Sequence, residues 1–485
     1  MIPQTSLIKL RSIVGGENFL DSAEDKIAYS YDGTPLFQQL PDAILIPRST
    51  DQISQILRLA NEEGFGVVPR GSGSGLSGGS IPVENSVVLL VNHWNRILEI
   101  DQNNLTIWVE AGAITGQVHS AVEALGLMYP PDPGSSTICT IGGNVAENAG
   151  GLRGLKYGVT RNYVLGLEVV LPSGEVVLTG GKSVKDVAGY SLKDILIGSE
   201  GTLGITTKVL LRLIPKPDTS RTMLALYDKL SDAAETVSDI IGSKITPAAL
   251  EFLDNTTIRC VEEYAHLGLP TSVESLLLIE VDGRVSVVEE DAAKIVQLCR
   301  QHHALDVTLA ANEEEAVRLR SARKGALAAL ARVRPTTILE DATVPRSEVA
   351  PMLEQINRIS KSHNLTFGTF GHAGDGNLHP TCLTDERDSE EIHRAEMAFE
   401  EIFSEAIRLG GTITGEHGIG LSKKKFLKTM VGEPALEMMR KIKQTIDPNG
   451  VLNPGKIFTL RPRCEGPLPT NREQIKKLAD LGAFT

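Results

Sequence analysis

The most constraining stretch of the chain is residues 67–80, Val-Val-Pro-Arg-Gly-Ser-Gly-Ser-Gly-Leu-Ser-Gly-Gly-Ser. Glycine alternates with serine from Gly71 to Gly75, and apolar runs at residues 65–68 and 86–91 flank the loop closely. Glycine reaches positive φ and has no Cβ, so successive N–H groups can turn inward against an anion. The expected occupant is a diphosphate. Gly73-x-Gly75-x-x-Gly78 satisfies the dinucleotide fingerprint, but that fingerprint opens a helix. Here Ile81-Pro82-Val83 follows, and then a strand over residues 86–91. No Lys-Ser or Lys-Thr pair closes the run, so it is not a P-loop. The loop joins strand to strand, which disfavours a doubly wound nucleotide fold.

With 485 residues the chain is too long for one ordinary domain. Its 48 basic and 61 acidic residues leave a net charge of −13, which argues against a nucleic-acid partner. Cys139, Cys260, Cys299, Cys382 and Cys464 form no Cys-x-x-Cys pair, so neither an iron–sulfur cluster nor a disulfide framework is expected, and a reducing compartment is. Lys9 and Arg11 interrupt the apolar positions at the start, and no stretch is long enough to cross a bilayer. The expected location is cytoplasmic, at most peripheral to a membrane.

Periodicity supplies the elements. A helix over residues 7–14 stops at Gly15-Gly16, and a strand over 42–46 precedes a helix capped at Thr50 or Asp51 that buries Ile53, Ile56, Leu57 and Ala60. After a strand over 105–110, Thr115 is expected to cap a second helix, with Val118, Val122 and Leu125 inward. A rigid turn over 129–134 leads to a second glycine- and asparagine-rich run, residues 135–151, whose small residues suit a large group lying against backbone. Strands over 166–172 and 175–179 form a hairpin across Ser173-Gly174, and Gly198 to Ile205 lead into a strand ending at Pro215. From Arg221 the order changes to strand 223–226, helix 232–241, strands 248–253 and 276–281, helix 287–299 and strand 307–309. This βαββαβ order predicts a ferredoxin-like layer with helices on one face.

Four motifs in order, Pro69-Arg70-Gly71-Ser72-Gly73-Ser74-Gly75, Pro131-Asp132-Pro133, Thr140-Ile141-Gly142-Gly143-Asn144 and Gly198-Ser199-Glu200-Gly201-Thr202-Leu203-Gly204-Ile205, resemble the FAD-binding (PCMH-type) domain of the vanillyl-alcohol oxidase type flavoproteins. Within them the chain is similar to the FAD-linked 2-hydroxyacid dehydrogenases, over residues 38–460. The resemblance implies an α+β protein: an approach segment (1–37), a two-subdomain FAD-binding domain (38–217), a substrate cap (218–425), a segment returning to the FAD domain (426–460) and a tail (461–485). It implies that Gly71, Gly73 and Gly75 hold the pyrophosphate with Pro69, Arg70, Ser72, Ser74 and Ser77 around it. Pro131, Asp132, Thr137, Gly142, Gly143 and Asn144 are then flavin-side contacts, and Gly204 and Ile205 reach the adenine or ribitol. Residues 70–80 hold no histidine, the residue through which many relatives attach the cofactor, so non-covalent FAD is expected.

The helix beginning at Asn312 carries Arg318, Arg320, Arg323 and Lys324, either a solvated basic face or a clamp for a substrate carboxylate. The resemblance ranks Arg320 and Arg323 first and Lys324 next. A strand over 365–370 runs into Gly371-His372-Ala373-Gly374-Asp375-Gly376-Asn377-Leu378-His379-Pro380. Two imidazoles and a carboxylate around a glycine turn are either structural or suited to Zn²⁺, Mn²⁺ or Fe²⁺. After a helix over 390–409, Gly415-Glu416-His417-Gly418-Ile419-Gly420 offers another carboxylate and imidazole. The resemblance assigns His372, His379 and Glu416 to a divalent metal, Asn377 to substrate, and His417 to a place beside the reacting carbon, as base or orienting group. Asn453, in the closing segment 447–456, is a flavin-side contact or part of a simple turn.

The expected activity is oxidation of a small D-2-hydroxy acid, glycolate or D-lactate, by hydride transfer to flavin N5. Electrons then pass to an external acceptor: quinone, cytochrome or an iron–sulfur partner subunit. The alternatives are a D-2-hydroxyglutarate dehydrogenase, disfavoured because residues 339–345 lack a second cation, and a non-redox flavin transferase of the alkyl-dihydroxyacetone-phosphate synthase type. A homodimer is left open.

Overall fold

The computed structural model describes residues 1–459. Three units follow one another. The first is a four-stranded sheet in the order Phe19–Leu20, Ala43–Leu45, Ser86–Leu90, Gly66–Arg70. Its last three strands are parallel and almost wholly buried, as parallel strands covered on both faces must be. The helix Thr50–Glu63 covers it through Ile53, Ile56, Leu57 and Ala60, and Gly64 ends that helix at φ 75°. Its cap is Ser49, whose hydroxyl accepts the Gln52 N–H, rather than Thr50 or Asp51. The outer edge of Gly66–Arg70 is closed from far away: Val67 N–H donates to the Val451 carbonyl and Asn453 N–H to the Val67 carbonyl, both at 2.8 Å. The glycine loop runs from this strand to Ser86–Leu90 without a helix, as expected.

The second unit is antiparallel, in the order Ile97–Asp101, Thr106–Glu110, Ile205–Arg212, Val164–Val170, Val176–Gly180. The helix Thr115–Glu123 stands beside it, but Thr115 is no cap; Ile114 takes that position without a side-chain bond. The Thr115 hydroxyl instead turns inward, meeting the Cys139 carbonyl at 3.3 Å and accepting from Asn144 Nδ2 at 2.8 Å. The second glycine-rich run contains a helix that periodicity did not show, Ile141–Glu147, capped by Thr140 through the Gly143 N–H.

The third unit is an eight-stranded sheet. Asp306–Leu309, Thr219–Tyr227, Ser275–Gly283 and Ala249–Asp254 stand in the ferredoxin-like order. The sheet does not stop there: Ala249–Asp254 pairs with Thr366–His372, and the sheet continues through Asn377–Thr384 to Thr336–Leu339, with Ala342–Thr343 also on Asn377–Thr384. Side chains alternate between faces along a strand. Met223, Ala225 and Tyr227 thus meet Val237, Ile240, Val288 and Ile295 on one face, while Leu224 joins Ile258, Val261, Leu319 and Leu330 on the other. Helices cover both faces, not one, because a strand apolar on both sides needs two partners. The helix Lys424–Ile446 is broken at Gly432 (φ 77°), two residues before Pro434. Cys139, Cys260, Cys299 and Cys382 are free; Cys464 and the tail over 461–485 lie outside the described residues.

Candidate active site

The hairpin Thr366–His372/Asn377–Thr384 places Phe370 opposite His379 and His372 opposite Asn377. Residues two apart share a face, so His372, Phe370 and His379 point the same way. The His372 and His379 rings meet edge-on, 5.2 Å between centroids. Glu416 reaches them from the loop after the helix Ser389–Arg408: its Oε1 lies 3.3 Å from His372 Nε2 and 3.4 Å from His379 Nε2. One ligand atom from each of the three lies within 4.8 Å of the others, a donor set of two imidazole nitrogens and a carboxylate oxygen. His417 stacks on His379 with centroids 5.2 Å apart and planes 9° from parallel.

Two carboxylates, Glu251 and Glu416, face the imidazoles of this trio. Burial pushes the His379 ring down to about 4, so it is a neutral ligand at physiological pH. Burial works against ionising Glu416, but the neighbouring His372 and His379 outweigh it and hold the carboxyl well below its ordinary range. Burial likewise opposes a charged His372, yet Glu251 and Glu416 overcome it and hold that ring well above its ordinary value.

Sequence reasoning missed Glu251 and Asp341. Glu251, on Ala249–Asp254, accepts Arg323 Nε at 2.6 Å through one oxygen and pairs with His372 Nδ1 at 2.8 Å through the other. It therefore orients a candidate ligand and a candidate clamp at once, and Arg323 also lies 4.7 Å over the Phe370 ring. Asp341 Oδ2 accepts the N–H groups of Gly415, Glu416 and His417 at 2.6, 2.8 and 3.3 Å, and its Oδ1 stands 3.5 Å from His417 Nδ1. The available signal was an acid, or a pair of acids, inside an apolar run: Leu250-Glu251-Phe252 and Ile338-Leu339-Glu340-Asp341-Ala342. A buried charge requires a partner.

The trio opens into a cavity of about 640 Å³ whose wall also holds both glycine-rich runs. Pro69, Arg70, Gly71, Ser72, Gly73, Ser74, Gly75, Gly142, Gly143, Asn144, Gly204, Ile205 and Asn453 line it, as do Arg323, Lys324, His372, His379, Glu416 and His417. A Cβ on Gly71 would lie 2.4 Å from Thr140 Oγ1, and Gly73 has φ 72° with the Arg70 guanidinium packed where its Cβ would be. Arg70 braces the loop by donating to the Tyr31 carbonyl at 2.7 Å. Asn453 Nδ2 donates to the Gly79 and Glu200 carbonyls at 2.9 and 2.7 Å, joining the glycine loop to the segment from Gly198 to Ile205.

Six expected residues are not part of this wall. Arg320 pairs with Glu280 at 2.8 Å and with Glu313. Asn377 Oδ1 accepts the Thr343 hydroxyl at 2.9 Å. Ser77 is buried behind the loop, its carbonyl accepting the Leu421 N–H at 2.8 Å. The Pro131 carbonyl faces His119 Nε2 at 2.9 Å, Asp132 stands 3.8 Å from Lys324 Nζ, and Thr137 is exposed.

Residues 41–180 match the FAD binding domain family, and residues 216–457 match the C-terminal domain of FAD linked oxidases. The glycolate oxidase subunit GlcD of Bacillus subtilis (strain 168) is 54% identical over 458 residues, covering 94% of this chain and 97% of that one. The chain belongs to the FAD-linked oxidases. The D-lactate dehydrogenase of Anaerostipes hadrus is 34% identical, over 92% of this chain and 94% of that one. A solved structure of p-cresol methylhydroxylase with substrate bound superposes with a TM-score of 0.80 at 18% identity, covering 95% and 98% of the two chains, which shows the shared PCMH-type fold. Membership makes this protein a flavoprotein oxidoreductase with FAD as cofactor. The cavity fits that group: its wall sets the bare backbone of the glycine loop, where Gly71 and Gly73 have no room for a Cβ, opposite the small residues Gly142 and Gly143 of the second run.

Proposed function

We propose that this enzyme oxidises a small D-2-hydroxy acid, glycolate or D-lactate, to the 2-oxo acid. The observation that carries the proposal is the single cavity in which the FAD-binding runs, the His372/His379/Glu416 trio and the Arg323 cation meet. The relatives named for glycolate oxidation and D-lactate dehydrogenation support it.

Bound FAD supplies the hydride acceptor. A divalent metal held by His372, His379 and Glu416 would supply a Lewis acid that lowers the pKa of a hydroxyl. The chain's own groups do the rest. Arg323, fixed by Glu251, and Lys324 hold the substrate carboxylate. His417, stacked on His379 and backed by Asp341, takes the hydroxyl proton, a role worth roughly 10²–10⁴ in rate. Glu251 and Asp341 keep these groups in place without touching substrate. No Cys-x-x-Cys pair occurs in the sequence, so electrons leave for an acceptor outside the chain, a quinone, a cytochrome or an iron–sulfur partner. No helix among the described residues is long and apolar enough to cross a membrane.

Anaerobic absorbance of the purified holoenzyme tests the proposal. Glycolate or D-lactate should bleach the oxidised flavin band and L-lactate should not; a band that none of them bleaches would overturn it. Acid precipitation should release the flavin into the supernatant, as non-covalent binding requires.

A further inference from the structure

Glu147 ends the helix Ile141–Glu147 and lies in the cavity wall between the glycine loop and the Glu416-His417-Gly418 turn. A Cβ on Gly79 would stand 2.9 Å from Glu147 Oε1. One on Gly418 would stand 2.2 Å from Glu147 Oε2 and 3.1 Å from Glu200 Oε1, so the two carboxyls converge on one spot. Their surroundings differ. Glu200 commits both oxygens to backbone donors, accepting the N–H of Ile419 at 2.7 Å and of Gly420 at 2.6 Å. Glu147 Oε2 is closed to solvent and has no hydrogen-bond partner among the described residues.

Two carboxyls at one site cannot both ionise cheaply, and the one without donors keeps the proton. Burial, then Glu200, Asp32 and Asp341, push the Glu147 carboxyl well above its ordinary range; Lys423 opposes them, but it is committed to Asp341 and Glu340. A carboxylic acid kept neutral in this way is a hydrogen-bond donor. We propose that Glu147 donates a hydrogen bond to an acceptor atom of the bound flavin ring and thereby raises the ring's affinity for electrons. Reduction increases electron density on the ring's oxygen and nitrogen acceptors, so a fixed donor stabilises the reduced form more than the oxidised one. The proposal goes beyond the substrate assignment and needs only FAD in this cavity.

The test compares the FAD-loaded wild type with Glu147→Gln, which keeps a donor, and Glu147→Met, which keeps the bulk and loses it. Equilibration with a redox dye under dithionite reports the potential whichever acid is the substrate. The Gln variant should stay within twofold of wild type in its reduction equilibrium. The Met variant should fall at least tenfold, about 30 mV for a two-electron couple. A Met variant at the wild-type potential, or a Gln variant that falls as far as Met, would overturn the proposal. Infrared difference spectra of wild type against Glu147→Gln give an independent readout. A protonated-carboxyl band lost in the variant supports the assignment, and its absence from wild type refutes it.

Discussion

Asp341 accepts the backbone N–H of Glu416 at 2.8 Å from a position with no solvent exposure. The same oxygen takes the Gly415 and His417 N–H groups, so one buried carboxylate sets the turn that presents both a candidate metal ligand and the candidate base. Burial opposes its charge, but His417 and Lys423 outweigh burial and hold the carboxyl far below its ordinary range.

Replacing Asp341 by alanine removes that frame and leaves Lys423, itself fully buried, with Glu340 at 3.0 Å as its remaining carboxylate partner. Breaking a buried pair costs about 3–5 kcal/mol. Urea unfolding of Asp341→Ala should show a loss of that size, and Asp341→Asn, which still offers an oxygen to the turn, a smaller one.

Arg323 and Arg320 should separate in steady-state kinetics. Losing a charged hydrogen bond costs about 1.5–3 kcal/mol, roughly a 10- to 150-fold rise in KM for the acid. Arg323→Lys should move KM in that direction, because lysine cannot both hold Glu251 and reach substrate. Arg320→Ala should leave KM within about twofold, since Arg320 faces Glu280 and Glu313 rather than the cavity.

Dialysis against a chelator should abolish turnover while the flavin absorbance persists, on the proposed assignment of the metal to the trio and of FAD to the glycine runs. Elemental analysis should find the divalent metal near stoichiometric in wild type and strongly depleted in His379→Gln and Glu416→Gln. Equal metal content in those variants would place the ion elsewhere.

Asp254 provides a pH signature. It caps the helix Asn255–Ala265 and accepts the Thr369 N–H at 2.7 Å, and burial pushes its carboxyl up to about 6 from an ordinary 3.8. A raised carboxyl binds its proton more tightly when folded. Its stabilising contribution is therefore complete below about pH 4 and lost as pH rises to about 6. Relative to Asp254→Asn, the wild type should lose about 3 kcal/mol of stability across that window. Urea midpoints of the two proteins below pH 4 and at pH 7 would check this, and a constant difference would contradict it.

Local rules made the chain's framework legible. The apolar spacing of Ile53, Ile56, Leu57 and Ala60, the glycine run at Gly71 to Gly75 and the strand–turn–strand around His372 and His379 each declare a nearby structure. Contacts that depend on the packed sheet stayed hidden. Glu251 is far in sequence from Arg323 and His372, and no local pattern joins them until Ala249–Asp254 pairs with the histidine hairpin. Arg320 and Arg323 look alike on one helix; Glu280, on the strand beneath, separates their roles. Thr115 has a capping side chain, but the buried Asn144 amide needed its oxygen more.

The hydrogen bonds between Val67 and residues 451 and 453 set an order of assembly. The strand that opens the glycine loop is among the first parts of the chain to be made, and the segment that closes its edge is among the last described. Until that segment arrives, the newborn FAD domain presents an unpaired strand edge beside a half-built cofactor site, the kind of edge that seeks other chains. Cofactor retention thus reports on the completeness of the polypeptide. A truncation reaching residue 451 would register as a flavin-binding defect, though every residue of the glycine loop were intact.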